Sequence, residues 1–251
     1  MKRFFVTALV FICFCTALLA QEVSKKEPSK FTVGIFGGLN IPKLTDNSNN
    51  PLSKGYGSRL GAAFGFTSSY SFNQKFSLRT DLLYSSEGGK RDGMQAFTEA
   101  SSYNPSFPAG TYLYADFNTK TILNYLELPV MAKYSFPTKS ALKFYVDLGP
   151  YLGYLLNAKQ VNSGNSYIYY AGNPVTSSAQ SFDSTASVTG SINRFNVGIT
   201  GGIGMAHKLC SGNVFLDVRG AYGLINIQKY SEDGKSHSGN VCIVVGYSVP
   251  L

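Results

Sequence analysis

Six charged residues stand out by spacing. Arg79-Thr-Asp81 and Asp217-Val-Arg219 each place opposite charges two residues apart, and Lys133 and Asp147 fall between them in the chain. A spacing of two puts both members of a pair on one face of a β-strand. Gathered at one depth, Arg79, Asp81, Lys133, Asp147, Asp217 and Arg219 would make an interlocked ionic plug, because buried charges persist only when paired and hydrogen-bonded. Such a plug is either a gate for ions or a structural core; the structural core is the reading preferred here. Ser236-His237-Ser238, with Glu232 or Asp233 nearby, has the residue types of a hydrolytic site. No spacing rule supports that chemistry in a serine-rich loop, so no catalytic residue is assigned. Gly201, Gly202 and Gly204 lie inside a strand pattern with no helix after them, which excludes a phosphate loop. His207 and His237 fall at opposite strand ends and cannot share a metal, and no metal or cofactor is expected.

The elements that position these residues follow a leader. Lys2 and Arg3 precede an apolar stretch from Phe4 to Ala20, and polar residues begin at Gln21. That is the layout of a secretory signal peptide over residues 1–20 rather than of a membrane anchor, which would be longer. Residues 21–30 read as a short polar tail, and one domain is expected over 31–251. Cys13 and Cys15 leave with the leader. Cys210 and Cys242 remain, one in a short turn and one near the outer start of the last strand. They would be roughly 20 Å apart along a strand, too far for a disulfide. The whole chain of 251 residues carries a formal charge of +8 and 14% charged residues, with Gly 26, Tyr 17, Phe 18 and Trp 0. This composition argues against disorder and against a coiled coil. The positive charge is scattered, so nucleic-acid binding is not expected.

From Phe31 onward, apolar and polar residues alternate in eight segments. Leu60-Ala62-Phe64-Phe66, Phe144-Val146-Leu148 and Phe195-Val197-Ile199 show the pattern. Period two means strands with one apolar face. Short links near 73–75, 137–142 and 208–213 alternate with long polar links near 41–57, 88–119, 158–192 and 225–240. Short turns at one end and long loops at the other, with an even strand number, is the layout of an eight-stranded antiparallel up-and-down transmembrane β-barrel. A soluble barrel with an apolar lumen is the competing solution. The polar face decides against it: Gly61, Gly65, Gly149, Gly153, Gly198 and Gly202 sit beside a few long charged residues, which suits a crowded interior. The other face then meets outer-membrane lipid. Phe72, Phe76, Tyr134, Phe136 and Phe144 would form one aromatic girdle, and Tyr84, Tyr154, Phe195 and Tyr222 the other. The long loops are rich in Ser, Asn, Gly and Tyr. Tyr112, Tyr114, Tyr167, Tyr169 and Tyr170 are the candidate surface for a protein or glycan partner, against the alternative of simply solvated loops.

Two stretches carry a family resemblance. Asn124-Tyr-Leu-Glu-Leu-Pro-Val-Met-Ala-Lys-Tyr134 and Phe144-Tyr-Val-Asp-Leu-Gly-Pro-Tyr-Leu-Gly-Tyr154 resemble the central hairpin of the PorT-like outer-membrane β-barrel family of Bacteroidetes. Val197-Gly-Ile-Thr-Gly-Gly-Ile-Gly204 and the Val245-Gly-Tyr-Ser-Val249 ending are similar to the same pattern. The resemblance spans about residues 31–251, apart from an ending in Pro250-Leu251 rather than an aromatic residue. It implies an eight-stranded barrel inserted by the barrel-assembly machinery, and it supplies no shared catalytic residues. The family's name comes from a member that supports type IX secretion, which makes an accessory role in secretion one alternative. A narrow pore for small solutes is another. Asp183-Ser184-Thr185 also resembles a Bacteroides-type O-glycosylation acceptor.

Overall fold

The computed structural model describes residues 29–46, 50–98, 106–108, 110–230 and 234–251. The expected leader and most of the polar tail lie outside these residues. Eight long strands close into a ring: β1 (Phe31–Asp46), β2 (Gly61–Ser71), β3 (Phe76–Arg91), β4 (Asn118–Ser135), β5 (Leu142–Ser163), β6 (Phe195–Leu209), β7 (Gly212–Gly223) and β8 (Ser236–Pro250). Each pairs antiparallel with its chain neighbour, and β1 closes on β8 with Val33 opposite Val249 and Asn40 opposite Cys242. Closure leaves no edge strand, so backbone donors and acceptors are satisfied within the ring.

The alternation fixes which side faces lipid. Phe66 is 65% exposed and Leu148 63%, while their strand neighbours Thr67 and Asp147 are buried, and Ile203 on β6 is likewise 65% exposed. An apolar exterior over a polar interior is the arrangement a bilayer requires. Outward aromatic side chains pack in pairs at both ends. Phe76 meets Tyr134 at 5.1 Å near the short turns, and Tyr154 meets Phe195 at 5.4 Å near the long loops.

The short links are 72–75, 136–141 and 210–211. Asn73 builds the first of them, its Oδ1 accepting from the backbone N–H of Lys75 at 2.8 Å and of Phe76 at 2.9 Å. At the long-loop end strands run further than the sequence pattern suggested, with β1 reaching Asp46 and β8 beginning at Ser236. β3 continues through Glu87 to Arg91, and β5 continues to Ser163 with Ser184–Ser187 paired against its outer end. A bulge at Leu156 shifts the phase of β5, so Leu155 and Ala158 both point inward and are fully buried.

The sequence pattern reads the long links only as polar loops. Instead the links 92–117 and 164–194 fold together. Met94–Phe97, Leu113–Asp116, Tyr169–Tyr170 and Asn173–Pro174 form a second, four-stranded sheet above the barrel. It has its own small core, with Leu113 and Ile168 at 0% exposure packed against Phe97, Phe107 and Phe182.

Candidate functional site

β6 contributes glycines where its neighbours project inward. A Cβ at Gly198 would collide with the Tyr151 ring, one at Gly202 with Arg219, and one at Gly204 with both Tyr145 and Asp217. The bare backbone there makes room for the large polar side chains of β5 and β7.

Those side chains form an inner ionic layer. Arg79 Nε donates to Asp81 Oδ1 at 3.1 Å, and its Nη1 donates to Asp217 Oδ2 at 2.9 Å and Asp147 Oδ2 at 3.4 Å. Arg219 pairs with Asp81 Oδ2 and Asp217 Oδ2, each at 2.5 Å. The Tyr145 hydroxyl donates to Asp217 Oδ1. The guanidiniums also lie over rings, Arg79 at 5.2 Å from the Phe215 centroid and Arg219 at 5.3 Å from Phe36. The cluster joins β3, β5 and β7 across the lumen, and every member is buried. Taking these charges out of water is costly, and only the full set of mutual contacts offsets it.

Lys133 stands apart from the other five. Its Cα is opposite that of Asp147, yet among the described residues no carboxylate lies within ion-pair distance of it. Its Nζ sits 3.4 Å above the Tyr145 ring instead. Lys133 lines the periplasmic end of the lumen, with its ammonium on the Tyr145 ring rather than in the ionic cluster. Arg194 is exposed at the outer rim, where its Nη1 donates to the carbonyl of Leu155 at 3.1 Å.

A second polar layer lies nearer the long loops and was not anticipated. Glu87 and Glu127 are 1% and 3% exposed, with their carboxyl groups within hydrogen-bonding reach of one another. Asn240 Nδ2 donates to Glu87 Oε1 at 2.5 Å. Asn40 Nδ2 donates to Ser85 Oγ at 3.0 Å, and Asn196 Nδ2 to Ser238 Oγ at 2.7 Å. Among the described residues no cation pairs with either glutamate. Arg59 lies beside Glu87, but its guanidinium donates to the Glu87 backbone carbonyl and to Ser86 Oγ at 2.8 Å. Between the two layers lies a cavity of 20 Å³, lined by Glu127 and Arg219 among others, with room for about one water. Above the second layer, Leu44, Leu123, Tyr125, Leu155, Ala158, Ile192 and Ile227 make an apolar lid, each no more than 6% exposed.

The tyrosines of the loops converge on the small sheet. Tyr114 pairs with Tyr169 across strands. Tyr112, Tyr114, Tyr167 and Tyr170 are exposed, whereas Tyr169 is half-buried. The Phe107 ring meets Tyr170 in a tilted contact at 4.9 Å. The serine and histidine candidates do not converge. Ser236 and Ser238 point into the lumen, whereas His237 faces outward onto Tyr222 at 5.9 Å. Glu232 and Asp233 lie outside the described residues. Cys210 is exposed in the β6–β7 turn and Cys242 buried in β8, and both are free thiols.

Comparison with curated proteins finds no match. Among solved structures, Ail of Yersinia pestis aligns at 12% identity over 87% of this chain and 99% of its own, with a TM-score of 0.35. Neisserial surface protein A aligns at 18% identity over 90% and 100%, with a TM-score of 0.35. OprG of Pseudomonas aeruginosa aligns at 12% identity over 89% and 98%, with a TM-score of 0.37. The family model described as outer membrane protein beta-barrel domain matches residues 19–229, most of the closed ring, and the chain therefore belongs to that family of bacterial outer-membrane barrels.

Proposed function

We propose that this chain is a non-enzymatic outer-membrane barrel that presents a preformed contact surface to a protein or glycan outside the cell. The observation that carries the proposal is the second sheet. Two loops separated by a barrel hairpin spend a dedicated hydrophobic core on holding Tyr112, Tyr114, Tyr167 and Tyr170 in place and partly exposed. Rigid aromatic side chains give contact area at low entropic cost, and preorganisation lowers the cost of binding. The test is retention of the refolded barrel on a glycan array and on immobilised extracellular-matrix proteins. Retention is expected for the native chain and lost when these four tyrosines become alanine. Equal retention by that variant would move the contact elsewhere.

In this reading the inner ionic layer is a structural core rather than a gate. The small cavity between the layers and the apolar lid support a closed lumen. Bilayer recordings should show no steady conductance for the native chain. Steady native currents that change after Arg219→Ala would restore the pore. The leader over 1–20 would direct export, and the barrel-assembly machinery would insert the ring. The PorT-like hairpin at 124–154 supports placement in that Bacteroidetes branch. A type IX secretion accessory should block export of that system's cargo when the gene is deleted, whereas a surface binder should not.

A further inference from the structure

The periplasmic end of the lumen opens as a vestibule of 180 Å³ beneath the ionic layer. This is smaller than the ~300 Å³ of typical drug-sized sites. Hydroxyl groups of Thr32, Ser77 and Ser135 help line its walls, and the lining includes no aspartate or glutamate. Three cations meet there. Arg79 helps form the floor; it is 2% exposed, and its Nη2 is buried with no hydrogen-bond partner among the described residues. Lys133 lines the cavity with no ion-pair partner among the described residues, and Lys143 stands exposed beside it. Asp147 belongs to the deeper layer and is not part of the lining. Around the mouth, residues 29–31, 71–77, 135–143, 207–213 and 248–251 hold Lys30, Lys75, Lys139, Lys143 and Lys208 and no acidic side chain.

We propose that this vestibule binds a small oxyanion, of the phosphate type, from the periplasmic side. An oxyanion would accept from the Arg79 guanidinium and from the two lysines, and the hydroxyls would complete its shell. The surrounding lysines would draw anions toward the mouth. The source is either a free ion or the headgroup of an inner-leaflet phospholipid, which offers the same phosphate chemistry.

The test is a titration of the full refolded barrel in micelles with inorganic phosphate at constant ionic strength, following the Arg79 Nε–H resonance by NMR. A saturable shift is expected. Lys143→Ala should weaken it by about tenfold, the scale of one charge-assisted hydrogen bond, and adding Lys133→Met should abolish it. The Lys133→Arg, Lys143→Arg variant should retain binding. Cold and boiled SDS gels check that each variant folds. In a second arm, phosphatidylglycerol is doped into the micelles without phosphate. A shift there alone assigns the site to the lipid headgroup, and a shift with phosphate alone assigns it to the free ion. A non-saturating response in both arms, or an undiminished one in the double variant, overturns the site.

Discussion

The two polar layers of the lumen solve the same problem differently. The inner layer places two arginines among three aspartates, joining β3, β5 and β7 through five ion-pair contacts. The outer layer buries Glu87 and Glu127 among amides and hydroxyls, with no cation paired to either among the described residues. In the inner layer each charge depends on its partners, and removing one strands the rest. In the outer layer two like groups crowd each other, so neutralising one relieves repulsion. The ends of the barrel differ in the same sense. The periplasmic end is a basic, hydroxyl-lined vestibule, and the outer end is closed by an apolar lid and a cap sheet.

Variants can break this contrast. Arg79→Ala should have the largest effect, ~3–5 kcal/mol, because it leaves Asp81, Asp147 and Asp217 short of a cation. It would be read as a lower temperature at which the unboiled SDS band converts to the denatured one. Gly204→Ala should follow at roughly 1–3 kcal/mol, since the new methyl group meets Tyr145 and Asp217. Gly220→Ala is its control; the nearest atom to its new methyl is 3.8 Å away, and the conversion temperature should not move. Glu127→Gln should change stability by less than about 1 kcal/mol, and toward stabilisation, because an amide can donate to Glu87. If Glu127→Gln proved as damaging as Arg79→Ala, the two layers would be energetically alike and the contrast would fail. The smallest effect on the barrel belongs to alanine at Tyr112, Tyr114, Tyr167 and Tyr170. Its conversion temperature should match the native chain while loop binding is lost.

The parts legible in the sequence are those with period two. Phe64, Phe66, Leu148 and Ile203 announce the lipid face because each strand repeats its pattern over many residues. The pairs Arg79/Asp81 and Asp217/Arg219 are legible for the same reason, since spacing alone puts them inside. Glu87 was hidden because Ser85-Ser-Glu-Gly-Gly89 resembles a loop. Pairing with β4 carries the strand through it. Ala158 was hidden by the bulge, which reverses the inside-outside phase without a marker residue. The cap sheet was hidden by its size. Strands of two to four residues are too short for periodicity, and Tyr114 finds its partner Tyr169 far along the chain. Lys133 has the right register, but its ammonium lies on the Tyr145 ring instead of Asp147, which register alone does not show.

The central claim is a closed barrel with its apolar face against lipid, and the most direct measurement is the migration of the native chain from outer-membrane fractions on cold and boiled SDS gels. A folded ring held by closed strand pairing and a buried ionic layer should resist SDS until heated and show two distinct bands. A single band at one position, with the protein recovered from the soluble periplasm, would contradict the inside-out assignment of its faces.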